Sequence, residues 1–185
     1  MEYLPVGDDL HLDALKISHA AVVYQAIDKN RNYLRRWLPF VDQTRRREDT
    51  EIYIRMLLSE REKSANEVFT LWYKGDFAGL AGFKDMDFVN HKTEIGYWLI
   101  ESMQGRGIMT RTVKKLIDYG FRNLNFNRIQ IKVALGNHKS AAIPVRLGMV
   151  SEGIERAGEY HTDGFFDLEI FSILKADWIA SLLNN

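Results

Sequence analysis

The chain contains no cysteine, which excludes disulfides, thiolate metal sites and a covalent cysteine intermediate and fits a reducing compartment. It also lacks net charge: Lys plus Arg number 25 and Asp plus Glu number 25. No long-range field of either sign pulls the whole molecule onto nucleic acid or an anionic membrane, so direct nucleic-acid binding is not expected and a charged partner must meet a local patch. No run approaches the roughly 20 apolar residues of a membrane span, and Met-Glu-Tyr-Leu-Pro at the start lacks a basic region followed by an apolar stretch. These absences lead to the expectation of a cytoplasmic protein without membrane attachment. His11, His19, His91 and His138 show no metal spacing, and His161-Thr162-Asp163 is too short to argue for one, so no metal is expected. There is no Gly-x-Ser-x-Gly elbow, no repeat and no low-complexity linker.

What is present is a chain of 185 residues with 46% hydrophobic and 12% aromatic residues, enough for one well-buried core, and residues 1–185 read as one domain. Apolar alternation predicts strands at Asp9 to Ile17, Val68 to Lys74, Phe77 to Lys84, Lys92 to Ile100, Arg128 to Leu135, Met149 to Ile154 and Phe166 to Leu174. Gly75-Asp76 reads as a hairpin turn, and the apolar end of the fourth run suggests burial on both faces. Helical spacing predicts helices from Ala21 to Asn30 with Ser18 as cap, from Glu51 to Glu62, from Thr110 to Leu124 and from Asn137 to Leu147. Strands both paired in hairpins and separated by helices point to an α/β (α+β) domain: a mixed, mostly antiparallel sheet of six or seven strands flanked by helices.

The most informative segment runs Glu94-Ile-Gly-Tyr-Trp-Leu-Ile-Glu-Ser-Met-Gln-Gly-Arg-Gly-Ile-Met109, a strand that breaks into a Gly-rich turn and then opens a helix. Gly105 and Gly107 can take left-handed backbone angles, and the first N–H groups of the helix lack intrahelical acceptors, so several donors can converge on one phosphate. The turn lacks the Lys-Ser/Thr ending of a nucleotide P-loop.

Gln104-x-x-Gly107 followed by Ile108 resembles the acyl-CoA pyrophosphate loop of the GNAT superfamily of N-acetyltransferases. Asn137-His138-Lys139-Ser140 and Leu147-Gly148-Met149 follow in the family's order, so the likeness covers roughly Thr93 to Ile173. Glu94 to Leu99, Gln104 to Ile108, Asn30 to Leu34 and Trp37-Leu38-Pro39 are similar to the RimJ/RimL-type ribosomal-protein N-terminal acetyltransferases. The resemblance implies the acyl-CoA N-acyltransferase fold and acetyl-CoA as co-substrate. It also implies that Trp98, Leu99 and Ile100 line the acyl-CoA slot, with a backbone N–H near Leu99 polarising the thioester oxygen. Gln104, Gly105, Arg106, Gly107, Ile108, Met109 and Thr110 would form the pyrophosphate loop, and Asn137 would bond the pantetheine amides. Arg106, Arg111 or Lys139 would meet the adenosine phosphates.

Two departures stand out. Met109 replaces a small residue and can narrow the loop, and Pro144 stands where many members have a Tyr that protonates the departing thiolate. Ser140 lies four residues earlier on the same helix face and becomes the candidate acid, the role the resemblance implies. Pro144 also removes the N–H that would have bonded the Ser140 carbonyl, so the helix should be short or kinked. Acyl transfer needs a neutral amine, and Glu159 matches by spacing the family's carboxylate base; burial beside Tyr160 would raise its proton affinity, and Glu94 is the rival base. A capping role for Ser140, a solvated loop position for Glu159 and a structural pairing for Glu94 stay open.

Arg31, Arg35, Arg36, Arg45, Arg46 and Arg47, with Tyr33, Trp37 and Phe40, form a basic aromatic segment suited to an acidic protein tail or to a solvated face. Trp178, Ile179, Leu182 and Leu183 either mediate self-association into a homo-oligomer or fold back onto the domain. The expected function is acetyl transfer from acetyl-CoA to a protein N terminus, by resemblance that of a ribosomal protein. A small amine such as a polyamine or aminoglycoside, or a non-catalytic acyl-CoA-binding role, remains an alternative.

Overall fold

Alternation of period two builds one continuous sheet. The computed structural model describes residues 3–63, 65–161 and 163–183. Strands β1 (Tyr3–Gly7), β2 (Leu10–Ala14), β3 (Glu67–Tyr73), β4 (Asp76–Asp87), β5 (Lys92–Leu99), β6 (Arg128–Ala134), β7 (Val150–His161) and β8 (Gly164–Leu174) lie in the order β1-β2-β3-β4-β5-β6-β8-β7. Every neighbouring pair is antiparallel except β5 and β6. The class is the expected one, with eight strands rather than six or seven. The unforeseen strand is β1, where Pro5 breaks the pattern; a residue without an N–H is tolerated there because β1 is a sheet edge. The β3–β4 turn is Lys74-Gly75, both at positive φ, one residue before the expected Gly75-Asp76.

Two cores follow from the two faces. Helices α1 (Ala20–Lys29), α2 (Arg31–Leu34) and α3 (Arg47–Glu62) bury Val23, Ile27, Leu34 and Ile54 together with Leu80 and Trp98. Ser18 lies inside a 3₁₀ turn, Ile17–His19, and does not cap α1. On the opposite face, α4 (Ile108–Arg122) lays Val113, Leu116, Ile117 and Phe121 against Phe83, Ile95 and Ile129. The helix can approach this closely because of Gly120, where an added Cβ would stand 2.9 Å from Ile129 Cδ1 and 3.2 Å from Phe83 Cε1. Helix α5 (His138–Arg146) follows β6. The C-terminal α6 (Lys175–Leu183) folds Trp178 into the core, while Ile179, Leu182 and Leu183 stay on the surface. No helix among the described residues is long and apolar enough to cross a membrane.

The feature that positions the site is the β5–β6 pair. Parallel strands need a crossover, which α4 supplies, and pairing begins at Lys92↔Arg128 but ends at Glu94↔Gln130. Beyond that point β5 runs on to Leu99 and β6 to Ala134 without pairing, so the sheet forks. The end of β5 is therefore not buried on both faces as expected: Tyr97 and Leu99 are only partly covered because they border the gap. Strand β7 also departs from expectation, running to His161 rather than stopping at Ile154. Between Glu155↔Leu168 and Glu159↔Phe166 it carries extra residues in a bulge, stitched by the Ala157 N–H to Asp167 Oδ1 at 2.7 Å, with Ala157 at positive φ.

Candidate active site

The fork opens into a cavity of about 1070 Å³. One wall is Ile95 to Leu99 of β5, the other Ile131 to Ala134 of β6; the Gly105–Gly107 turn closes one end, and Gly158 and Glu159 of the β7 bulge border it as well. Ile100 N–H donates to the Ala78 carbonyl at 2.9 Å. The alternation of an antiparallel ladder then turns the N–H and C=O groups of Trp98 and Gly96 toward β4 and those of Ile95, Tyr97 and Leu99 toward the gap. Trp98 and Leu99 border the cavity, but Ile100 does not: its N–H is engaged by β4 and its side chain packs with the α1–α3 core.

The turn itself has the geometry its glycines foretold. Gly105 and Gly107 adopt φ of 72° and 70°, and Gly107 is the N-cap of α4, which begins at Ile108 rather than Thr110. The first helical bond runs from Arg111 N–H to Gly107 O at 3.0 Å, leaving the N–H groups of Ile108, Met109 and Thr110 without intrahelical acceptors. The side chains of Ile108 and Met109 are buried in the core, so Met109 does not narrow the turn and both residues offer their backbone instead. Nothing lies within 4 Å of a Cβ built on Gly107. Gly107→Ala therefore meets no clash and only left-handed strain, and should cost about 1 kcal/mol in a urea unfolding experiment, with the fold retained.

The polar side chains around the turn are already organised. Gln104 donates from Nε2 to the Tyr33 hydroxyl and accepts Lys139 Nζ at 2.8 Å, so its amide braces α2, the turn and α5 rather than standing free for a ligand. Burial raises the Tyr33 phenol above its ordinary value. Arg111 binds Asp9 Oδ1 at 2.7 Å, and that hydrogen bond holds the Asp9 carboxyl below the usual range. Arg106 is exposed at the cavity rim. Arg146 also borders the cavity and donates to Thr110 Oγ1 at 3.4 Å. It was not anticipated, although its spacing of two helical turns from Lys139 puts both cations on one face of α5.

Ser140 and Glu159 border the same cavity. Asn137 Oδ1 accepts the Ser140 N–H at 3.2 Å, so Asn137 is the N-cap of α5 and Ser140 is not; the Asn137 amide nitrogen is left to donate to a ligand. Ser140 Oγ donates to the Tyr97 hydroxyl at 3.1 Å, and that hydroxyl donates to the Ser140 carbonyl at 3.3 Å. Burial pushes the Tyr97 phenol up to about 12. Tyr97 was absent from the expected site residues, because inside an apolar strand it reads as core.

Glu159 sits on strand β7 rather than in a loop, with Oε2 at 2.7 Å from Nε2 of the buried His161, whose ring packs on Phe166. Tyr160 does not cover it; that ring points to the other face and meets the exposed Phe165. Glu94 occupies the apex of the fork, 3% exposed, with Lys84 Nζ at 2.7 Å and Gln130 Nε2 at 3.2 Å. Its carboxylate joins β4, β5 and β6, the structural pairing left open by the sequence.

Five of the six arginines of the basic segment are exposed, and most are engaged by local partners. Arg31 donates to the Val41 and Thr44 carbonyls, Arg35 pairs with Asp42, Arg46 with Asp49 and Arg47 with Glu51, while Arg36 stacks on Trp37. What the segment brings to the cavity is apolar and aromatic: Tyr33, Leu34, Trp37 and Leu38.

A family model described as an acetyltransferase (GNAT) domain matches residues 9–150. The chain is 32% identical over 177 residues to the putative ribosomal N-acetyltransferase YdaF of Bacillus subtilis (strain 168), covering 94% of this chain and 95% of that protein. It is 27% identical to the ribosomal-protein-serine acetyltransferase of Escherichia coli (strain K12), covering 92% of this chain and 96% of that one. Among solved structures, the RimL ribosomal L7/L12 alpha-N-protein acetyltransferase in complex with coenzyme A superposes with a TM-score of 0.89 at 26% identity, over 94% of this chain and 98% of the other. With a matching family model over most of its length and a forked sheet that opens beside a glycine turn, the chain belongs to the acetyltransferase (GNAT) domain family.

Proposed function

We propose that the protein transfers acetyl from acetyl-CoA to the α-amino group of a ribosomal protein, directly and with both substrates bound. The observation that carries this reading is the single cavity that joins the glycine turn to Ser140 and Glu159. The residues suit acetyl-CoA: open backbone donors at Ile108 to Thr110 for the pyrophosphate, cations at Arg106 and Lys139 beside them, and a slot between parted strands for the pantetheine arm. The absence of cysteine favours direct transfer over a covalent cysteine intermediate.

In this reading Glu159 takes a proton from the incoming ammonium, directly or through one water, and the freed lone pair attacks the thioester carbonyl. The Leu99 N–H, turned toward the gap, is the donor for the oxygen on which negative charge develops. The C–S bond then breaks, Ser140 supplies a proton to the departing sulfur and is reprotonated, and the nitrogen sheds its second proton to solvent as the amide forms. The names of the relatives support a ribosomal acceptor, and such an acceptor places the reaction in the cytoplasm. Incubation with acetyl-CoA and ribosomal proteins, followed by peptide mass spectrometry, should locate acetyl on an N-terminal amine. Modification of polyamines or aminoglycosides alone would remove the ribosomal acceptor, and binding of acetyl-CoA without transfer to any amine would remove catalysis.

A further inference from the structure

Pro144 creates a vacancy that the structure fills from another element. In an α-helix the Ser140 carbonyl accepts the N–H of the residue four positions on, and here that residue is Pro144, which has none. The phenol of Tyr97, reaching over from β5, donates to that carbonyl at 3.3 Å and accepts the Ser140 Oγ–H at 3.1 Å. With Asn137 Oδ1 holding the Ser140 N–H at 3.2 Å, the amide, carbonyl and hydroxyl of Ser140 are all gripped. Two of those three contacts come from one oxygen on the cavity wall.

We propose that Tyr97 is a positioning residue that acts through Ser140, holding the serine hydroxyl in place at rest and donating to that oxygen when Ser140 turns its proton toward the CoA sulfur. The inference rests on the reading of Ser140 as the acid. A serine that gives up its proton alone is left as an alkoxide, a stronger base than the thiolate it serves, so the transfer is unfavourable without a second donor behind it. Tyr97 is that donor. Its buried phenol ionises only near 12, so it carries its proton at neutral pH. As the C–S bond breaks, sulfur keeps the electron pair and takes the Ser140 proton, Oγ takes the Tyr97 proton, and solvent returns a proton to the phenolate. The acceptor ammonium loses two protons, one to Glu159 before attack and a second as the tetrahedral intermediate collapses, both passed on to solvent. With one proton taken back by the phenolate, the sum is one amide, one thiol and one released proton with the enzyme unchanged.

Tyr97→Phe keeps the ring and deletes only the hydroxyl. With an acceptor amine on which the wild type is active, kcat should fall about tenfold while the acetyl-CoA KM stays within about twofold. Because both residues serve one step, Tyr97→Phe added to Ser140→Ala should lower kcat no further than Ser140→Ala alone. Single-turnover assays at saturating acetyl-CoA keep the variant folded through ligand linkage, and a thermal melt under the same conditions checks this. An unchanged kcat in Tyr97→Phe, or losses that simply multiply in the double variant, overturns the inference and leaves the proposed function standing. A wild-type protein that acetylates no amine overturns the proposed function itself.

Discussion

Glu159→Gln should lower kcat about 10²-fold at neutral pH while acetyl-CoA affinity, read by calorimetry, stays within about twofold. The substitution keeps the length of the side chain and an oxygen that can still accept from His161 Nε2, now at 2.7 Å from the carboxylate, but removes the basic lone pair. A tenfold change in rate is about 1.4 kcal/mol, so the expected loss of about 2.7 kcal/mol measures what a positioned base supplies. The comparison that gives the result its meaning is Glu94→Gln. Glu94 is the more deeply buried carboxylate and borders the same cavity, but Lys84 and Gln130 already occupy it. Its replacement should change kcat less than about threefold. The reverse pattern, a large loss at Glu94 and a small one at Glu159, would exchange the two roles.

Lys84→Met should destabilise the fold by about 2–3 kcal/mol, measured by urea unfolding at neutral pH. Methionine keeps the apolar stem but removes the ammonium, leaving the Glu94 carboxylate at the apex of the fork with the Gln130 amide and the weaker pull of the Lys132 charge. The estimate lies below the 3–5 kcal/mol typical of a fully buried pair because the Lys84 side chain is 52% exposed, against 4% for Glu94, and water screens its half of the interaction. Lys84→Met combined with Glu94→Gln should recover most of the loss, since a neutral amide at the apex no longer needs a cation. A single variant as stable as the wild type would mean that Glu94 reaches water and does not pin the fork.

The glycine turn was legible because its requirements are local. Two positive-φ positions and three orphan helix donors follow from Gly105, Gly107 and the apolar periodicity after them, whatever the rest of the chain does. The β3–β4 hairpin and the α4 face were readable for the same reason, and so was the shortness of α5 around Pro144. The partnerships across the fold were not. Arg111 meets Asp9 across 102 residues of sequence, and Ser140 meets Tyr97 across 43. Period two says which residues share a face of a strand, and nothing about which strand lies beside it or where their pairing stops. Tyr97 looked like core for that reason. The charge of the N-terminal arginines is visible in sequence, while the carbonyls and carboxylates that engage them, such as Val41 O and Asp42, are not recognisable there as their partners.

By itself the sequence determined the class of fold, the glycine turn at the head of a helix, the candidate acid on a helix interrupted by proline and the candidate carboxylate near the C-terminal strands. Each depends on backbone angles, helix ends or spacing within a few residues. Tertiary structure alone decided that β5 and β6 part after Glu94, that the β7 bulge carries Glu159 to the resulting gap, and that Tyr97 supplies the donor Pro144 cannot. Those outcomes depend on pairing register and on contacts between elements far apart in the chain, which the packing of the whole sheet settles together.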